Sequence, residues 1–202
     1  MAETLISTDQ IDALNAAGRE ALDEDYAALG RVLGRRQIDI DTIKAKVAGF
    51  SVALPSWGSG RGGTRFAKFP IPGEPGNIHE KLEDCAVVQQ VTRSTPRVSL
   101  HFPWDAVNDY AALREEAAAL GLGFDAVNSN TFQDQPGQRH SYRNGSLSAT
   151  DPAVRDQAVA HNIDCMEIGR QLGSRALTVW VGDGTNFPGQ QDLGRSLDRY
   201  LD

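Results

Sequence analysis

Four apolar runs in this chain break, at their carboxyl ends, into aromatic and polar residues ill suited to a core. They are Ser56-Trp57-Gly58, Leu100-His101-Phe102-Pro103-Trp104, Val127-Asn128-Ser129-Asn130-Thr131-Phe132 and Trp180-Val181-Gly182-Asp183-Gly184. A helical pattern follows each run, so the chain reads as βα four times in succession. Strands joined this way lie parallel, and two architectures accommodate them: an open doubly wound sheet or a (β/α)8 barrel. Ligands gather at the strand carboxyl ends in both. Polar and aromatic residues at all four ends favour the barrel, whose loops share one mouth.

With 202 residues, 40% of them apolar, the chain can bury a sizeable core. Its formal net charge of -7 argues against a nucleic-acid partner, because phosphate neutralisation needs clustered Lys and Arg. The first residues, Met1 to Ser7, hold no long apolar run, so the reading is of a cytoplasmic protein with neither a secretory signal nor a membrane span. Cys85 and Cys165 fall on apolar helix stripes without zinc-finger spacing and read as buried free thiols.

Residues 1–49 read as an N-terminal helical segment with Ile11, Leu14, Leu22, Leu29, Val32 and Leu33 as its apolar face and Ser7 or Thr8 as a cap. This segment is expected to cover a face or an end of the βα part, residues 50–202. Strands are expected at 50–54, 98–101, 124–128 and 176–181. Helices are expected from about 77, with Ile78, Leu82, Cys85, Val88 and Val91 inward, then over 110–120 and after Asp151-Pro152. The last strand, almost wholly apolar, reads as covered on its outer face.

Gly58-Ser59-Gly60-Arg61-Gly62-Gly63 matches the G-x-G-x-x-G dinucleotide pattern, but Pro70, Pro72 and Pro75 forbid the helix that the pattern requires. A covering loop is the better reading. Trp57, Trp104, Phe132 and Trp180 can pack on the apolar faces of a sugar, while Asn128, Asn130 and Asp183 bind its hydroxyls. The alternative use of such rings is to cap a core. His101 can hydrogen-bond a sugar hydroxyl or move a proton during ring opening. Asp183 lacks the second carboxylate that glycosidase chemistry needs, and no His, Asp and Glu combination makes a metal site or a nucleophile triad.

The runs 57–66 (WGSGRGGTRF), 99–105 (SLHFPWD), 128–137 (NSNTFQDQPG) and 178–190 (TVWVGDGTNFPGQ) resemble those of bacterial L-rhamnose isomerases of broad specificity, within the xylose-isomerase-like barrels. The resemblance implies the N-terminal half of a (β/α)8 TIM barrel, about four βα units behind the helical segment. It implies an aldose–ketose isomerase that converts L-rhamnose to L-rhamnulose by a metal-assisted hydride shift, with a divalent metal, typically manganese. It places Trp57, His101, Trp104, Phe132 and Trp180 in the substrate pocket, and Phe66 in the pocket of a neighbouring subunit of a homotetramer. The metal ligands and catalytic residues would lie beyond residue 202, leaving none in this chain and making it an inactive, truncated portion. Two other readings remain: a metal-dependent sugar epimerase of the same superfamily, and a non-catalytic carbohydrate-binding or assembly half-barrel.

Overall fold

The computed structural model describes residues 6–61, 72–184 and 189–202. Helices α1 (Thr8–Ala17), α2 (Arg19–Gly34) and α3 (Ile40–Ala48) come first. Ser7 caps α1 by accepting from the Gln10 N–H at 3.2 Å, and the Asp39 carboxylate caps α3. Their apolar positions follow the expected spacing, yet none of the three helices buries a residue, and Leu14, Leu22 and Val47 stand well exposed. The covering role expected of this segment is therefore not seen in its packing.

After β1 (Ala53–Pro55) a single helical turn, α4 (Ser56–Ser59), occupies the start of the expected loop. Next come α5 (Ile78–Thr92), β2 (Arg97–Ser99), β3 (His101–Phe102), α6 (Tyr110–Ala119), β4 (Gly123–Phe124) and β5 (Val127–Thr131). The chain continues through α7 (Pro152–Leu172), β6 (Leu177–Val181) and α8 (Leu193–Leu201). Helix α7 starts as its sequence dictates, with Asp151 accepting from the Ala153 N–H and Pro152 in the first turn, and it ends at Gly173 in the left-handed region, φ 77°.

The strands form two three-stranded parallel sheets, β1-β2-β4 and β3-β5-β6. This corrects the expectation of half a barrel, because the strands of the described residues fall into two separate open sheets in place of one continuous barrel wall. The division has a local cause. Asp125 N–H donates to Val98 O and Asn128 N–H to Leu100 O, so three residues advance on one side against two on the other. One extra residue at Asp125-Ala126 interrupts the ladder, as a bulge does. Segments 97–102 and 123–131 each pass from one sheet into the other across that break.

The core lies where α5, α6 and α7 cover the sheets, with Leu82, Val98, Leu100, Phe102, Leu113 and Val127 almost fully buried. On α5 the inward face is Ile78, Lys81, Leu82, Cys85 and Ala86; Val88 and Val91, expected inside, are exposed. Strand β6 also departs from expectation, since Thr178, Trp180 and Val181 are exposed on an unpaired edge. Cys85 and Cys165 are buried free thiols as read from the sequence, and burial pushes the Cys165 thiol up to about 12. Neither is a nucleophile at neutral pH. Among the described residues no helix is long and apolar enough to cross a membrane.

Candidate functional site

Parallel pairing places the strand carboxyl ends side by side. His101 opposes Asn128, and Asn130 opposes Trp180. Residues so paired, and those two apart on one strand, share a face, so His101, Asn128, Asn130 and Trp180 point the same way. Trp57 from α4, Trp104 from the turn after β3 and Phe132 from the end of β5 close around them.

The result is a cluster of rings centred on His101. Ring centroids lie 5.2 Å from His101 at Trp57, 4.6 Å at Trp104, 5.9 Å at Phe132 and 5.9 Å at Trp180. Trp180 also meets Trp57 and Phe132 at 6.0 Å each. All five residues that the sequence reading places in the substrate pocket are thus brought together. Phe66 lies outside the described residues, as do Gly62 and Gly63 of the glycine pattern.

His101 is 1% exposed, and neither ring nitrogen has a hydrogen-bond partner among the described residues. Burial among apolar rings lowers its pKa to about 4; the nearby Asp105 carboxylate opposes this, while His161 and Lys81 reinforce it. At neutral pH it is an uncharged imidazole with one donor and one acceptor unused. Buried polar atoms nearly always have partners, and the described residues supply none to these two nitrogens.

The cluster is closed in on itself. A sugar ring stacked between two aromatic rings needs roughly 7–8 Å between them, about 3.5–4.0 Å for each contact. The observed centroid separations leave no such gap. Trp180, 41% exposed, keeps an open face, and its indole is oriented by donating from Nε1 to Asn128 Oδ1 at 2.9 Å.

The polar residues expected to hold sugar hydroxyls are largely engaged within the chain. Asn128 donates to the Leu100 and Ala126 carbonyls. Asn130 donates to the Gln133 carbonyl and accepts from the Gln133 N–H. Asp183 accepts from the Ser146 N–H and hydroxyl and from the Ser148 N–H, which ties down the loop before α7. These three act as scaffold. His161, which carried no role in the sequence reading, accepts from the Asn130 N–H at 3.0 Å and hydrogen-bonds the backbone of Phe102, linking β5 and β3 to α7.

Sequence reasoning missed Lys81 and Asp105. The Lys81 ammonium donates to Asp105 Oδ1 at 2.7 Å, with side chains 1% and 0% exposed. Asp105 Oδ2 accepts from the His101 N–H at 2.8 Å and from the Ser56 hydroxyl. The available signal was a lysine at Ile78+3 and Cys85−4, on the apolar stripe of its helix.

Gly182 follows β6 where a Cβ would lie 2.9 Å from Phe132 Cβ and 3.2 Å from its Cα. Gly182→Ala is expected to push Phe132 out of the cluster, at a cost of about 1–3 kcal/mol in unfolding free energy. Urea unfolding with near-ultraviolet circular dichroism measures both effects; an unchanged aromatic spectrum would show that the contact relaxes without moving the ring.

Among the described residues no group of three or more His, Cys, Asp or Glu could hold a metal ion. The resemblance places the ligands of its divalent metal beyond residue 202, so these residues leave that expectation untested.

No family profile matches the chain. It is 65% identical over 198 residues to a probable sugar isomerase of Rhizobium meliloti strain 1021, covering 98% of this chain and 46% of that protein. It is 57% identical over 202 residues to a probable sugar isomerase of Mesorhizobium japonicum, covering 100% of this chain and 47% of that protein. The chain spans about half the length of these curated relatives. Among solved structures, an L-ribulose 3-epimerase superposes with a TM-score of 0.48 and 16% identity, over 75% of this chain and 42% of that one. The rhamnose-specific reading is corrected accordingly. The relatives are named for sugar isomerisation in general, and the two separate open sheets do not match the half-barrel that the specific reading implied.

Proposed function

We propose that this chain is the sugar-binding portion of an isomerase- or epimerase-type enzyme acting on a sugar. The observation that carries the reading is the aromatic cluster around His101, whose two ring nitrogens are buried and find no partner among the described residues. Flat rings supply the surface on which the C–H faces of a sugar pack, and the imidazole supplies one donor and one acceptor for adjacent hydroxyls. The identity to two probable sugar isomerases supports the same class.

A sugar is received on the open face of Trp180, or by displacing one ring so that a hydroxyl reaches His101. The depressed basicity of His101 suits hydrogen bonding better than proton abstraction, because a base with a pKa near 4 has little drive to take a proton at pH 7. A divalent metal and homo-oligomeric assembly, which rest on the sequence resemblance, accompany the proposal, as does a cytoplasmic location, which rests on the composition of Met1 to Ser7.

The test is calorimetric titration of this chain with a panel of aldoses and ketoses, read beside tryptophan fluorescence. Saturable binding with quenching is expected, and Trp180→Ala is expected to weaken it about tenfold, or ~1.4 kcal/mol. Absence of heat and of quenching across the panel would remove the reading. Product analysis with this chain and with the full-length Rhizobium meliloti relative, before and after chelation, then separates isomerisation from epimerisation and tests the metal.

A further inference from the structure

We infer that Asp105 is the positioning residue of the aromatic cluster, holding Trp57, His101 and Trp104 in register from a single buried carboxylate. Each of the three is tied to it differently. Ser56, whose hydroxyl donates to Asp105 Oδ2, is the neighbour of Trp57 and opens α4. His101 donates its own backbone N–H to the same oxygen at 2.8 Å. Trp104 is the residue before Asp105, so its backbone is fixed with that of the carboxylate-bearing residue. Lys81, at 2.7 Å from Oδ1, supplies the countercharge that lets an anion sit fully buried, and it fastens α5 to the same point.

Ring packing alone does not do this. Contacts between centroids at 4.6–6.0 Å are weakly directional, and the His101 side chain has no hydrogen bond of its own among the described residues. Rings on two separate segments, Ser56-Trp57 and the stretch from His101 to Asp105, need a group that fixes those segments relative to each other. Charge-assisted hydrogen bonds to one carboxylate have the required direction and strength. Any consequence for sugar binding rests on the function proposed above; the positioning itself does not.

The test uses Ser56→Ala and Asp105→Asn in the 202-residue chain, with Leu172→Ala as a control that damages the core on α7. Near-ultraviolet circular dichroism reads the cluster, and nuclear magnetic resonance follows the titration of the His101 imidazole, both without sugar. The charges around that imidazole are Asp105, Lys81 and His161. At fixed geometry, loss of the Asp105 charge would move the His101 titration lower still, whereas loosening admits water and moves it higher. Ser56→Ala and Asp105→Asn are expected to weaken the aromatic spectrum and to raise the His101 titration by at least about one pH unit. Leu172→Ala, with an equal or larger fall in melting temperature, is expected to change neither.

A wild-type spectrum and a His101 titration still near 4 in both variants would overturn the inference, as would equal changes in Leu172→Ala. If Asp105→Asn does not fold, Ser56→Ala decides alone, since it leaves the ion pair intact. Sugar titration of the same variants is read separately. If the wild-type chain binds no sugar, the proposed function fails while the positioning result stands.

Discussion

Lys81→Met lowers the unfolding free energy of this chain by about 3–5 kcal/mol, the cost of leaving a buried carboxylate without its partner. Asp105 is 0% exposed, so water cannot replace the lost ammonium without opening the packing between α5 and the turn after β3. Methionine keeps most of the volume of lysine, so cavity formation contributes little and the electrostatic effect dominates. The double variant Lys81→Met/Asp105→Leu removes both charges, and its loss should fall short of the sum of the single losses by about 1–3 kcal/mol. It will not return to wild type, because the Ser56 hydroxyl and the His101 N–H lose their acceptor. Urea unfolding of the four proteins measures all of this. A loss below about 1 kcal/mol for Lys81→Met would mean that the pair is hydrated in solution.

The parts of this structure that could be read in advance are those fixed by neighbouring residues. Asp151-Pro152 announces α7, and Gly173 ends it, because capping and the left-handed turn depend on residues adjacent in the chain. The aromatic cluster was legible for a related reason. Parallel strands end together, so residues at strand ends meet whatever the remaining topology. Closure of the sheet was not legible, because it depends on pairing between distant strands and on a single extra residue at Asp125-Ala126. The hydrogen bonds that Asn130 and Asp183 make within the chain were only partly legible. Asn130 closes on Gln133, three residues on, as a local turn does, whereas Asp183 is engaged by Ser146 and Ser148, on a distant loop whose path no local pattern encodes. Lys81 and Asp105 stand 24 residues apart, and nothing in either segment alone signals a buried pair. The N-terminal helices show the converse limit: amphipathic spacing predicts which face is apolar, and it does not supply a surface to cover that face.

Acidification should weaken the fold in a window set by His101. Its pKa is about 4 in the folded chain against 6.5 for an ordinary histidine, so between those values the unfolded chain binds the additional proton. Stability from this group is fully present above pH 6.5 and is lost as pH falls toward 4. The difference corresponds to about 3 kcal/mol at 1.36 kcal/mol per pH unit. Ring faces attract an imidazolium by roughly 0.5–2 kcal/mol, which trims the loss without reversing it. His161, also held low by burial, acts in the same direction. Unfolding free energies measured in urea from pH 7 to pH 4 should therefore fall by about 2–3 kcal/mol more for the wild type than for His101→Phe, which keeps a ring in the cluster and removes the proton site. Parallel curves for the two proteins would show that His101 is hydrated and titrates normally, and the unpartnered nitrogens on which the sugar-binding reading stands would then already be satisfied by water.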